Sequence, residues 1–529
     1  MNDSENLSLD AWKDFSLSQA DLDFINNYLF EVETPLTEAE LAPLVVEQRL
    51  QREREERLAH RQAGRRIYFP KETYHVGEKI VFPSLGWKKA EVVHVRPGSN
   101  PDLGDFDVIE VLFEDGTSKR FAARLAEHKL NQLPKETVEE KPIRVEQILK
   151  LFGDKIEEGI RLGLQKADGL VRIAGRWFPR ALLIDVNTGH LNLAEAILDE
   201  KQGGPLPTSA LIEQIELPAG VNPKLLEFSM NYALQEDERF DEVGPAGQVW
   251  WYLRRMEPED VQQPPPWLRY TDIPYDRSVL TQEMLAFEAS LDDELSPLLS
   301  AGNAPAVSEV TIVLTYPHWR AGTLPISART RGLFPTAYES PRVLFRVVDA
   351  HTKEETTAWV VRPHGYVVGL STLYKKYGLF PGSLITLRRG KPGQVVVEAK
   401  LRRPVRDWVR TVLVGSDGEL VFATVKHNLG FEFNERMLLV VPDVAGVDEA
   451  REKITRQRLP MEKLVETVMR DLSRLNVQGH VHASELYAAL NVIRRCPPGL
   501  LLALLTQNPN YRHIGDLYFR IGEAEEAYE

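Results

Sequence analysis

Apolar and polar positions follow two rhythms along this chain, and the rhythm changes several times. Residues 1–66 carry the helical one, with mixed charges through Leu36–Leu58. Arg52, Glu53, Arg54 and Glu55 follow one another, so they cannot all face a core and predict a solvated helix. From 67 to 133 the period shortens to two. Tyr74–Phe82, Ala90–Val95 and Val108–Phe113 predict strands, and Pro97–Asp105 predicts a loop. Asp115-Gly116 predicts a tight hairpin turn, because glycine readily takes the positive φ such turns need. Short strands at this spacing predict a small barrel.

The helical period returns at 191–256, with helices expected over Leu193–Glu200, Thr208–Ile215 and Pro223–Leu234. It returns again at 458–522, over Met461–Leu475, Ala483–Ile493 and Pro498–Thr506. Each triplet runs into the same pattern: an aromatic residue, two variable positions, Val or Ile, and glycine. Phe240 to Gly244 and Tyr511 to Gly515 carry it, and an aromatic strand follows both. Three helices and a two-stranded wing make a winged helix. A shorter stretch at 142–190, centred on Asp168–Phe178, keeps only the apolar residues, the glycine and the aromatic pair. It reads as a possible degenerate copy.

Between these lie a Pro-rich linker and acidic helix at 257–307, the helix expected over 281–300. A mostly β domain follows at 308–445. The 67–133 segment resembles the SH3-like barrels of the KOW and Tudor type, whose ligands are often RNA, DNA or protein tails. The 458–522 segment, with its HVHASEL and YRHIGDLYF stretches, resembles the HARE-type winged helix-turn-helix domains, and 191–256 is similar. That family is found in the delta subunit of bacterial RNA polymerase and in chromatin and restriction proteins. The fold class expected is therefore multidomain α+β: an SH3-like β-barrel, two or three winged-helix domains and a mostly β basic domain.

Charge sharpens the functional reading. The chain has 529 residues and a net charge of −14, which argues against nucleic acid coating its whole surface. Yet residues 310–410 hold 17 Lys and Arg against 6 Asp and Glu, a local excess of +11. Arg329, Arg331, Arg388, Arg389, Lys391, Arg402, Arg403 and Arg406 cluster in its turns and strand ends, with Trp319, Tyr366 and Trp408 among them. Clustered arginines near aromatic rings are the expected footprint of phosphate contact and base stacking. The alternative is that they pair with acidic surfaces of this chain or of a partner. At the C-terminus Arg494, Arg495, Arg512 and His513 are the residues to test first. The third helix there, Pro498–Thr506, has no basic residue, which leaves protein interaction open beside DNA reading.

Catalytic signatures are sparse. The single cysteine, Cys496, excludes an internal disulfide framework and a Cys-rich zinc site, and fits a reducing cytosol. No phosphate-binding loop or HExxH pattern is present. His480 and His482 lack a third ligand and read as part of a turn before a helix. Glu398 and Lys400 have the Glu-x-Lys form of restriction-type nucleases, which need a further carboxylate to hold Mg²⁺. Glu355, Glu354 and Asp349 are the nearest upstream acids. No signal peptide or membrane-length apolar run is seen, so a cytoplasmic protein without a membrane partner is expected. The expectation is a non-enzymatic nucleic-acid-binding protein without cofactor or metal, acting on DNA in transcription or DNA metabolism. RNA polymerase or another protein is a conceivable partner. The alternatives are a winged-helix interaction scaffold and, less favoured, an Mg-dependent nuclease.

Overall fold

The computed structural model describes residues 12–62, 65–100, 104–132, 144–218, 220–297, 307–337 and 339–522. The chain is mixed α/β and divides into two units, Met1–Leu183 and Ile184–Glu529.

In the first unit the helix Gln19–Val32 starts at Ser18. The Ser18 hydroxyl accepts from the Asp21 amide while the Asp21 carboxylate accepts from the Ser18 amide, satisfying two otherwise orphaned donors. The strand Leu36–Thr37 and the helix Glu38–Gln62 follow. Leu36–Thr37 pairs with Arg176–Pro179, which pairs in turn with Leu170–Ile173. Ile25, Leu29, Val45 and Val46 share one core with Ile148, Ile160 and Trp177. This corrects the sequence reading on one point. Residues 142–190 do not make a module of their own, and 1–66 is not a separate segment. The helix Val145–Leu164 and its hairpin complete a core begun by residues 12–50.

The intervening residues form a five-stranded sheet in chain order: Arg66–Ile67, Lys79–Phe82, Lys88–Pro97, Asp107–Phe113 and Ser118–Ala123. Tyr68, Tyr74, Phe82, Val92, Ile109 and Phe113 fill its core. At the Asp-Gly turn Gly116 has φ +80°, and the Thr117 amide donates to Asp115 Oδ1 at 3.0 Å. The Lys71 amide donates to the Asn131 side chain at 2.7 Å, which brings the two ends of the sheet region together.

The second unit repeats the first module's strand order twice. Leu206–Pro207 pairs with Trp250–Leu253, and Val481–His482 pairs with Tyr518–Ile521. In each case the last strand also pairs with the strand before it, Phe240–Glu242 or Tyr511–Gly515. Short strand, last strand, first hairpin strand is thus the order in all three sheets. Between the two repeats lies a seven-stranded sheet. Its order is Glu309–Val313, Leu384–Arg389, Gln394–Ala399, Arg342–Asp349, Glu355–Val361, Tyr366–Val368, Thr323–Pro325. Only the pairing of Gln394–Ala399 with Arg342–Asp349 is parallel.

The expected linker is also corrected. Its helix covers only Gln282–Ser290, and residues 298–300 of the expected span lie outside the described residues. Trp267, Tyr270, Ile273 and Tyr275 pack with Leu280, Met284 and Leu291 on the core of the C-terminal module. That much aromatic surface is favourable to bury, which outweighs the stiffness of the prolines. A side chain placed at Gly499 would collide with Tyr275 Oη, so the linker lies directly on the helix Pro498–Gln507. Just past the linker helix, Asp293 and Glu294 accept hydrogen bonds from Arg495 at 2.5 and 2.9 Å. Arg495 is 2% exposed, so it is unavailable to any external ligand. Glu294 also meets His318 at 2.9 Å, and Tyr487 donates to Asp293. Burial alone would raise the Glu294 carboxyl, but Arg495 and His318 more than reverse this and hold it well below the usual carboxylate range. Among the described residues no single helix is long and apolar enough to cross a membrane.

Candidate nucleic-acid interface

After the seven-stranded sheet the chain forms a long antiparallel ribbon, Leu401–Val414 with Leu420–Phe431. Val, Thr, Leu and Phe recur along both strands, as a twisted two-stranded ribbon requires. The ribbon is anchored twice. Val409, Leu429 and Phe431 join the core of the large sheet, whereas Val412 and Phe422 join the core of the C-terminal module. Leu401 and residues 403–408, ahead of Val409, stay open to solvent.

One irregularity shapes this open stretch. Leu401 pairs with Phe431 and Val405 with Leu429, so Arg402, Arg403 and Pro404 oppose a single residue, Gly430. Pro404 has no N–H to give to a ladder, and a bulge accommodates it. The Arg402 guanidinium then lies 4.4 Å from the Phe433 ring centroid, with Nε and Nη2 buried and unpartnered. Arg403 and Arg406 are exposed and, among the described residues, have no carboxylate partner. Beyond the bulge the register puts Arg406 opposite Asn428, Trp408 opposite Lys426 and Arg410 opposite Thr424, all on one face. Trp408 is 61% exposed, and Lys426 Nζ sits 4.9 Å from its ring centroid.

A groove of about 530 Å³ opens on this face. Trp408, Phe433, Leu472, Leu475 and Val477 give it apolar walls, and Asp407, Glu435 and Asn476 add polar edges. Arg410 pairs with Glu485 at 2.6 Å and donates to the Glu435 carbonyl at 2.8 Å, fixing the ribbon to the helix Ala483–Ile493. His482 caps that helix by accepting from the Ser484 amide at 3.1 Å, and Arg436 donates to its other ring nitrogen. Burial, with Arg436 adding to it, pushes the His482 imidazole down to about 4. His482 is therefore a neutral structural group.

The other predicted residues divide. Arg388 is tied to Glu309 at 2.7 Å and Glu398 at 2.6 Å, and Arg329 to Asp292 at 3.1 Å. These two follow the internal-pairing alternative. Trp319 packs in the core and donates its indole N–H to the Leu379 carbonyl at 2.6 Å. Tyr366 is 1% exposed. Both rings were expected as stacking surfaces, but the alternation of the sheet and its covering helices turns them inward. Arg389 donates to the Gly332 carbonyl at 2.7 Å, beside Arg331 and close in sequence to the exposed Lys391. These three sit at the end of the strand Gln394–Ala399 away from the ribbon. Arg512 is exposed on the C-terminal hairpin, opposite Arg520. Arg494 donates to the Leu459 carbonyl. The positive charge is thus parcelled into separate groups, and only the ribbon group has an exposed aromatic ring within it. Lys426 and Phe433 were missed, because only the strand register reveals that they neighbour Trp408 and Arg402.

The Glu-x-Lys pair does not assemble a metal site. Glu398 is held by Arg388 and by Lys400 at 3.4 Å. Asp349 is in register with Val397 and so belongs to the opposite sheet face, where it accepts from Tyr377 at 2.6 Å and Lys376 at 2.9 Å. Glu354 is drawn to Lys376 as well. Among the described residues no group of three or more His, Cys, Asp or Glu could hold a metal ion.

Comparison with known proteins adds no relative. No family model matches the chain, and neither a curated protein nor a solved structure matches it.

Proposed function

We propose that this chain is a nucleic-acid-binding protein whose contact surface is the ribbon Leu401–Phe431. One observation carries the reading. Arg406 and Lys426 share a face with the exposed Trp408 and Arg403 stands in the bulge before them, none with a carboxylate partner among the described residues, whereas Arg329 and Arg388 are neutralised internally. Unneutralised cations beside an exposed ring suit phosphate contact coupled to base stacking.

On this reading the three repeated strand orders are winged-helix modules, and the five-stranded sheet is an SH3-like barrel inserted into the first of them. The modules act as framework. The third helix of the last is covered by the chain's own linker, and that of the first by Phe15 and Leu17, which leave no room for a side chain at Gly159 or Gly163. Neither helix is free to enter a major groove. The covering of the last module's helix weakens the scaffold alternative, which drew on the net charge and on the apolar third helices. A partner such as RNA polymerase rests on the family resemblance alone.

The test is fluorescence anisotropy of the full chain with labelled DNA and RNA across a salt series. The logarithm of affinity should fall linearly with the logarithm of salt. Arg403→Ala and Arg406→Ala should each reduce that slope by about 1, and Arg388→Ala should leave it unchanged. Affinity that ignores salt would remove the proposal.

A further inference from the structure

The groove beside the ribbon deepens that reading, on which it depends. Its volume of about 530 Å³ lies within the roughly 300–1,000 Å³ usual for sites that enclose a small planar molecule. Two aromatic rings line it, Trp408 from the ribbon and Phe433 from the segment after it. Leu475 and Val477 form an apolar rim at the end of the helix Met461–Leu475, and Val477 is fully exposed. An apolar rim left in water beside cations calls for a ligand with a flat apolar part and an anionic part.

The polar groups narrow the choice. Asp407 and Glu435 line the groove and can accept hydrogen bonds from a base's amino groups or ring N–H, such as the thymine N3–H. Arg402 lies over the Phe433 ring, 4.4 Å from its centroid, with two guanidinium nitrogens buried, and so backs that wall of the groove. Arg406 lies on the Trp408 face one cross-strand pair further along, and Arg403 stands in the bulge. A base in the groove would therefore leave its flanking phosphates at the arginines. A duplex cannot offer this, because its bases are stacked inside.

We infer that the groove holds an unpaired nucleobase, so the ligand class is single-stranded nucleic acid, gripped by Trp408 and Phe433 at the base and by the exposed Arg403 and Arg406 at the backbone. Lys426 orients the Trp408 ring from its cross-strand position.

Anisotropy of the full chain against three probes tests this: an oligothymidylate, an abasic oligonucleotide of equal length and charge, and a blunt duplex. The oligothymidylate should bind about tenfold more tightly than the abasic strand. Trp408→Ala should abolish that preference, bringing oligothymidylate affinity down about tenfold to the abasic level. Val477→Asp, at a fully exposed position, should weaken the oligothymidylate more than the abasic strand. Equal affinity for the two strands, or tighter binding of the duplex, overturns the base site while leaving phosphate contact standing. Absence of salt-dependent binding to any probe overturns the parent reading too. Full displacement by polyglutamate of matched charge overturns the inference in favour of an acidic protein segment.

Discussion

The Trp177 indole N–H donates to Glu38 Oε1 at 3.1 Å, across 139 residues of sequence. Glu38 opens the helix after the short strand, and Trp177 is the residue paired with Leu36 of that strand. The same places in the second module hold Thr208 and Trp251, again hydrogen-bonded, at 3.2 Å. In the third they hold Ala483 and Phe519, neither of which has a side-chain polar group. The donor appears where the acceptor does, because a buried N–H without a partner is costly.

Glu38→Ala should accordingly destabilise the first unit by about 1–3 kcal/mol, since it strands the Trp177 N–H. Adding Trp177→Phe should recover part of that loss. Urea unfolding followed by hydrogen exchange in Gln19–Val32 measures both. A double variant no more stable than the single one would refute the coupling.

Arg495→Met should be far more damaging. It leaves Asp293 and Glu294 buried without their cation, a change that costs about 3–5 kcal/mol in comparable cases. Arg456→Met, on an exposed helix face, should have little effect. Comparison of their urea midpoints separates the two outcomes.

Stability should also respond to alkali through Glu242. Burial, then the neighbouring Glu339 and Asp241, raise its carboxyl from 4.5 to about 8. The folded protein keeps this proton where the unfolded chain has lost it. The stabilisation is therefore complete below about 4.5, declines as pH rises, and is gone once pH passes about 8. Glu257, raised to about 8 chiefly by burial and by Asp241, acts in the same direction. Glu242→Gln should flatten the decline of melting temperature between pH 5 and 8; an unchanged profile would show that Glu242 does not contribute.

Much of this architecture was legible as local pattern. Pro223–Glu236 and Met461–Leu475 begin and end close to where the periodicity puts them, whereas Thr188–Glu200 starts five residues before the expected Leu193. Long-range pairing was not legible. Nothing local tells Leu36 that its partner is Trp177, and the inserted sheet hides the first module's unity. The linker misled because prolines dominate its composition while its aromatic residues decide its packing. For the candidate site, charge counting singled out residues 310–410 but could not distinguish Arg388, neutralised by Glu309 and Glu398, from Arg403, which has no such partner among the described residues. That distinction depends on which face of a strand a residue occupies, and the bulge at Arg402–Pro404 shifts the faces midway.

The Lys71–Asn131 hydrogen bond bears on how the N-terminal unit is assembled. Closing an unstructured loop costs more entropy as the loop lengthens. Once the inserted sheet has folded, its pinned ends act as a clasp, and the 60 residues from Lys71 to Asn131 drop out of the 139 separating Glu38 from Trp177. The first half of the module is then joined to the second by a shorter tether, so an insertion that folds first lowers the cost of closing the domain that contains it.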